Sequence, residues 1–148
     1  MNMKKQLLLF ILLLCSSAVL AQDELLGQWT GIITQDEGGY RSEYGFELYL
    51  KKEGKNLITG RSYVYVENIY AEMALSGFFV GSEMFHFTES RVVRSRDLPA
   101  LEWCLKGGEL KLERTGKGWM LTGRWQGTTP GGNCIPGEIM LKKVVPRV

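Results

Sequence analysis

Leu26-Gly27-Gln28-Trp29-Thr30-Gly31 has a counterpart near the far end of the chain. Leu121-Thr122-Gly123-Arg124-Trp125-Gln126-Gly127 repeats its Gly-x-Trp-x-Gly frame. Weaker echoes stand between them, at Leu57-Ile58-Thr59-Gly60 and Ala74-Leu75-Ser76-Gly77. A glycine inside an alternating apolar run marks a sharp bend or the close approach of another backbone. The tryptophan two residues on supplies a large plug for the space beneath that bend. Several bent strands with one aromatic-filled face point to a sheet that closes on itself.

Outward from the first motif, the preceding residues read as a secretory leader. Lys4 and Lys5 are followed by the apolar core Leu7 to Leu14 and by Val19-Leu20-Ala21, a small-residue cleavage site before Gln22. The apolar core falls short of the roughly 20 residues that span a bilayer. Leu14 stands where a lipoprotein signal cut before Cys15 would carry Gly, Ala or Ser. Residues 22–148 are therefore expected to form one soluble domain, secreted to the periplasm or outside the cell, with no transmembrane anchor after cleavage. The full chain has 18 basic and 16 acidic residues, so loss of Lys4 and Lys5 leaves no formal net charge. Nucleic acid is an unfavourable partner for such a surface. Cys15 departs with the leader, and the remaining pair, Cys104 and Cys134, is expected to form a disulfide in an oxidising compartment. On the chain-entropy view a loop of this size is worth about 3–4 kcal/mol.

The mature chain alternates with period 2 and shows no long helical periodicity. A strand over 25–34 puts Trp29, Gly31 and Ile33 on one face. A second, over 41–51, turns Tyr44, Phe46, Leu48 and Leu50 one way and Glu43, Glu47 and Tyr49 the other. Glu53-Gly54-Lys55-Asn56 turns the chain into a third, over 57–66, whose buried face depends on the turn. An even-length loop turns Tyr63 and Tyr65 inward; a three-residue loop with a bulge turns in Ile58, Val64 and Val66, the face we expect. Strands over 71–80 and 83–92 follow, the latter aligning Phe85, Phe87 and Glu89. Residues 91–99 read as a basic connection ending at Pro99. Leu101, Trp103 and Leu105 then alternate with Glu102, Cys104 and Lys106, which sends Cys104 outward, to pin the loop 128–137 against the outer wall near one barrel end. Gly107-Gly108 reads as a turn into 109–114, and Gly116-Lys117-Gly118 as a turn into 119–126, where Trp119, Leu121 and Trp125 face inward. The last strand covers 138–144. The expected fold is all-β: an antiparallel up-and-down meander of 8–9 strands closing into a small barrel, which removes its exposed edges.

Leu26-Gly27-Gln28-Trp29 resembles the Gly-x-Trp opening of the calycin group, which includes lipocalins and avidins. That resemblance implies an eight-stranded barrel holding a small apolar molecule, or biotin, at its mouth. The lipocalin pattern also packs an Arg near the chain end over the Trp, a place open to Lys142, Lys143, Arg147 or Arg124. Leu25-Leu26-Gly27-Gln28-Trp29 is similar, too, to the opening of a small periplasmic inhibitor of bacterial metalloproteases. In that family the segment before the barrel enters the protease cleft; here it is only about Gln22 to Glu24, a shortness that counts against that mechanism.

Few residues invite chemistry. His86 is the only histidine and alternates with Phe85 and Phe87, which turns it outward. One histidine cannot furnish the usual multi-ligand zinc site, and the mature cysteines are consumed by the disulfide. No catalytic residue, metal site or cofactor is therefore expected. Glu89 shares the inner face with Phe85 and Phe87, where an unpaired carboxylate is costly. It either sits at the rim in water, pairs with Arg91 or Arg114, or meets a polar group of a ligand. The inward rings either fill the barrel or line a pocket, and their number favours filling. Gly107-Gly108 and Gly131-Gly132 lack the helix of a phosphate loop and read as turns. The expected function is non-catalytic binding of a small apolar or aromatic molecule at the barrel mouth, by Trp29, Phe46, Phe87, Glu89 and Trp125. The alternative is a protein-interaction module or protease-inhibitor-like barrel acting through the loops 93–100 and 128–137; Arg91, Arg94 and Arg96 read as a solvated basic loop or, less often, as a contact for an acidic partner.

Overall fold

The computed structural model describes residues 2–7 and 23–147. The expected leader, apart from 2–7, and its cleavage point before Gln22 lie outside the described residues. Among the described residues no helix is long and apolar enough to cross a membrane.

The domain consists of β1 (Gly27–Thr34), β2 (Glu43–Lys52), β3 (Ile58–Val66), β4 (Ile69–Val80), β5 (Met84–Arg96), β6 (Leu105–Thr115), β7 (Gly118–Thr129), β8 (Gly132–Asn133) and β9 (Gly137–Lys143). Each strand from β1 to β7 pairs antiparallel with the next. β9 pairs with both β7 and β1, closing an eight-stranded ring, while β8 merely extends the end of β7. The all-β meander expected from the alternating pattern is what forms.

Alternation fills the ring. Trp29 and Ile33 of β1, with Tyr44, Phe46, Leu48 and Leu50 of β2, are buried together with Phe85, Phe87, Leu110 and Leu121. The open question of β3 resolves to the valine side: Val64 stands opposite Phe46, after a connection of residues 53–57. Ile58 and Val64 are buried, and Tyr63 and Tyr65 lie outside. The end of the barrel where β1 starts is closed by a helical turn at 23–25, whose Leu25 is buried and whose carbonyl accepts the Trp29 indole N–H at 2.8 Å.

Three expectations need correction. Gly107-Gly108 is not a turn but lies within β6, with Gly107 opposite Gln126 and Gly108 opposite Trp125. A Cβ on Gly108 would stand 2.5 Å from the Arg124 carbonyl oxygen. The glycine is there so that β6 and β7 can approach, the close-approach role rather than the turning role. Continuity of β6 reverses the parity expected before it, so Lys106 points inward and residues 101–104 form a connection, not a strand.

Residues 91–96, expected as a connection, continue β5 against β4. Val93 and Ser90 have no partner across that ladder, so β5 is bulged at two points. Its partnership with β6 stops at Thr88–Gly107, and beyond that point β5 pairs with β4 alone. The connection that follows is therefore 97–104 rather than 93–100. Finally, Cys104 and Cys134 do bond, with Cα atoms 6.3 Å apart, but not across the outer wall. Both are partly buried against the core at the rim of one barrel end.

Candidate functional site

A cavity of about 550 Å³ opens at the barrel end opposite the Leu25 turn. Its walls come from the mouth ends of the strands: Ile33, Tyr44, Val64, Ile69 and Trp125. Its rim comes from three connections, through Gly38 to Tyr40, Leu98 to Cys104, and Asn133 to Ile135. The Cys104–Cys134 bond ties the second of these connections to the third. Pockets of this volume, mostly apolar with a few polar groups, are typical of small-molecule sites.

The polar edges of the larger rings are already engaged. The Trp125 indole donates to the Thr34 carbonyl at 2.8 Å, and the Trp103 indole donates to Asp97 at 2.6 Å. The Tyr44 hydroxyl donates to Gln35 at 2.5 Å and accepts the Arg41 backbone N–H at 3.0 Å. Burial pushes the Tyr44 phenol above its ordinary range, so it stays a neutral donor through physiological pH. Held by these bonds, the rings are fixed in orientation before anything binds.

Beneath the cavity lies the one buried ion pair among the described residues. Lys106 Nζ stands 2.9 Å from Glu89 Oε2, with the two side chains 3% and 0% exposed. The same carboxylate accepts the Lys106 backbone N–H at 2.8 Å and the Ser62 hydroxyl at 2.5 Å. This arrangement follows from the divergence of β5 and β6. Just past Thr88–Gly107 the ladder between them ends, and the Glu89 side chain takes the backbone donor that the next ladder bond would have used. Lys106 Nζ also donates to the Cys104 carbonyl at 3.1 Å and lies 5.7 Å from the centre of the Phe46 ring. Of three ammonium N–H groups two are thus engaged, and Lys106 is the member of the pair that lines the cavity.

The residues singled out from sequence separate into three places. Trp125 lines the cavity. Trp29, Phe46 and Phe87 are fully buried and lie outside its lining, as part of the packed barrel. Glu89 is buried below it and paired, but with Lys106 and Ser62 rather than with Arg91 or Arg114, and not at the rim in water. His86 stacks on Phe78 on the outer wall, 3.8 Å from Glu109. Sequence reasoning missed Lys106 and most of the rim. The signal for Lys106 was present: inward Leu110 and Leu112, counted back in twos through Gly108, reach it.

On the closed end, Lys143 stands over the Trp29 ring, 5.9 Å from its centre, and donates to the Glu24 carbonyl at 2.5 Å. Among the described residues no three His, Cys, Asp or Glu side chains converge as metal ligands would. The chain matches no protein-family model, no curated protein and no solved structure.

Proposed function

We propose that this is a secreted, non-catalytic binding protein that holds one small apolar or aromatic molecule at the barrel mouth. The carrying observation is the open cavity of about 550 Å³, built over a packed core by oriented aromatic and aliphatic side chains. The ligand body would replace water against Ile33, Val64 and Trp125, with burial worth about 25 cal/mol per Å² of apolar surface before the costs of association. The third Lys106 N–H would orient a hydrogen-bond acceptor on its deep end. The calycin resemblance of the Gly-x-Trp opening accords with this use, and Lys143 occupies the place over Trp29 that an Arg fills in the lipocalin pattern. The Glu89–Lys106 pair offers a proton donor and an acceptor, but both are consumed by each other and by Ser62, which favours orientation over catalysis.

Titration with the neutral fluorophore N-phenyl-naphthylamine tests this directly. Saturable, single-site binding is expected, weakened at least severalfold by Asn133→Trp, which adds bulk at a residue of the cavity lining. Failure to bind that probe and every other small aromatic tried, neutral or charged, would contradict the proposal.

A protein-interaction module is the second reading, and one feature favours it. Residues 90–96 of β5 are mostly exposed, pair only with β4, and carry Arg91, Arg94 and Arg96. Such an edge could receive an added strand, although its charges and bulges are also devices that keep strands away.

A further inference from the structure

The charges around the mouth do not balance. Two charged residues line the cavity, Glu102 and Lys106. Lys106 is neutralised by Glu89 at 2.9 Å. Glu102, in contrast, makes no ion pair among the described residues; its carboxylate accepts only the Gly131 N–H, at 3.3 Å. Arg41, beside the lining residue Tyr40 but not itself on the lining, is held by Glu67 at 3.0 Å. One negative charge is therefore left on the lining.

Four aromatic rings share that lining: Tyr40, Tyr44, Trp103 and Trp125. The polar edges of Tyr44, Trp103 and Trp125 are tied off by hydrogen bonds within the protein. What remains on offer is ring surface, whose faces are electron-rich and attract cations. Tyr40 already carries a guanidinium on one face, with Arg41 4.2 Å from its ring centre. At the cavity floor the sign reverses, since the other charged lining residue there is Lys106, a cation. A cation is favoured at the rim and disfavoured at the base.

Resting on the small-molecule reading above, we propose that the ligand is an organic monocation. Its apolar body lies against Trp125, and its ammonium group sits at the rim among the aromatic rings and the Glu102 carboxylate. A weakly hydrated, alkylated ammonium suits the site best, because little hydration is lost when it meets a ring face. A carboxylate ligand would meet Glu102 with no free cation to offset it.

The test compares two molecules of the same shape. Phenyltrimethylammonium and tert-butylbenzene differ essentially in charge, and each is titrated into the purified protein by calorimetry or tryptophan fluorescence. The cation is expected to bind about fivefold or more tightly than its neutral isostere, in line with a partly desolvated cation–ring contact. Glu102→Gln, at an exposed side chain, should weaken the cation by about two- to fivefold, the range of an exposed ion pair, and leave tert-butylbenzene unchanged. Added salt should act on the cation alone. Equal or tighter binding of the neutral isostere, or an equal effect of Glu102→Gln on both, overturns the cation assignment while the small-molecule reading stands. Absence of binding by either compound and by N-phenyl-naphthylamine overturns both.

Discussion

Glu89 and Lys106 occupy a position where a barrel usually places two hydrocarbons, and the pair can be tested as a unit. Removing one member of a buried pair strands the other, at a cost of about 3–5 kcal/mol. Lys106→Met should therefore lower stability by that amount in urea unfolding. The double variant Lys106→Met/Glu89→Gln should be more stable than the sum of the two single losses allows, because no charge is left stranded; additive losses would mean the two groups do not depend on each other. A second carboxylate sets the response to acid. Glu72 on the outer wall accepts the Tyr63 hydroxyl at 2.7 Å and Arg94 Nε at 2.6 Å, with Arg61 at 3.6 Å. These partners, Tyr63 foremost, hold its carboxyl below the ordinary range. Its contribution is thus complete above the unfolded-state value, about 4.3, and is lost as pH falls through the lower folded value. Glu72→Gln should reduce stability at pH 7 and flatten its decline below about pH 4.5, measured as denaturation midpoints across pH. A decline as steep as that of the unsubstituted protein would contradict this assignment. Inward placement of Glu89 was legible from its alternation with Phe85 and Phe87. Its partner was passed over, since reading Gly107-Gly108 as a turn cut Lys106 off from inward Leu110 and Leu112 and left it as the solvent-facing neighbour of Leu105.

The strands were legible wherever polar and apolar residues alternate cleanly, as in β2, where Glu43, Glu47 and Tyr49 oppose Tyr44, Phe46 and Leu48. They were misread where glycine carries a packing role. Gly107-Gly108 has the composition of a turn, yet β6 runs straight through it, because the strand must pass under the Arg124 backbone. Gly108→Ala is expected to force β6 and β7 apart and to cost about 1–3 kcal/mol, as overpacking does. Gly116, where an added methyl would meet only open space, serves as the control: Gly116→Ala should change thermal stability little. Equal effects at the two sites would show that close approach is not what Gly108 supplies. The extension of β5 through Arg96 was hidden for another reason. Arg91, Arg94 and Arg96 interrupt the apolar rhythm, since past Glu89 the strand has no β6 neighbour and needs no buried face to match.

At the scale of the molecule, the ring of eight strands is closed at the Leu25 end, filled in the middle and open at the other. The filled interior was foreseeable from the number of inward rings, and a site at the mouth was expected, but of the residues expected to line it only Trp125 does. It is assembled from connections far apart in sequence, and their meeting depends on ring closure and on the Cys104–Cys134 bond. Cys104→Ser/Cys134→Ser should lose about 2–5 kcal/mol of stability and, by freeing two rim segments, weaken N-phenyl-naphthylamine binding. Unchanged binding at a temperature where the variant is folded would show that the disulfide does not shape the site. The claim that an open mouth over a packed core carries a small molecule is tested most directly by native mass spectrometry of protein isolated gently from its own cells. The expected result is a mass excess of a few hundred daltons, lost on denaturation and diminished by Asn133→Trp. A bare mass, in protein that also fails to take up N-phenyl-naphthylamine, would contradict it.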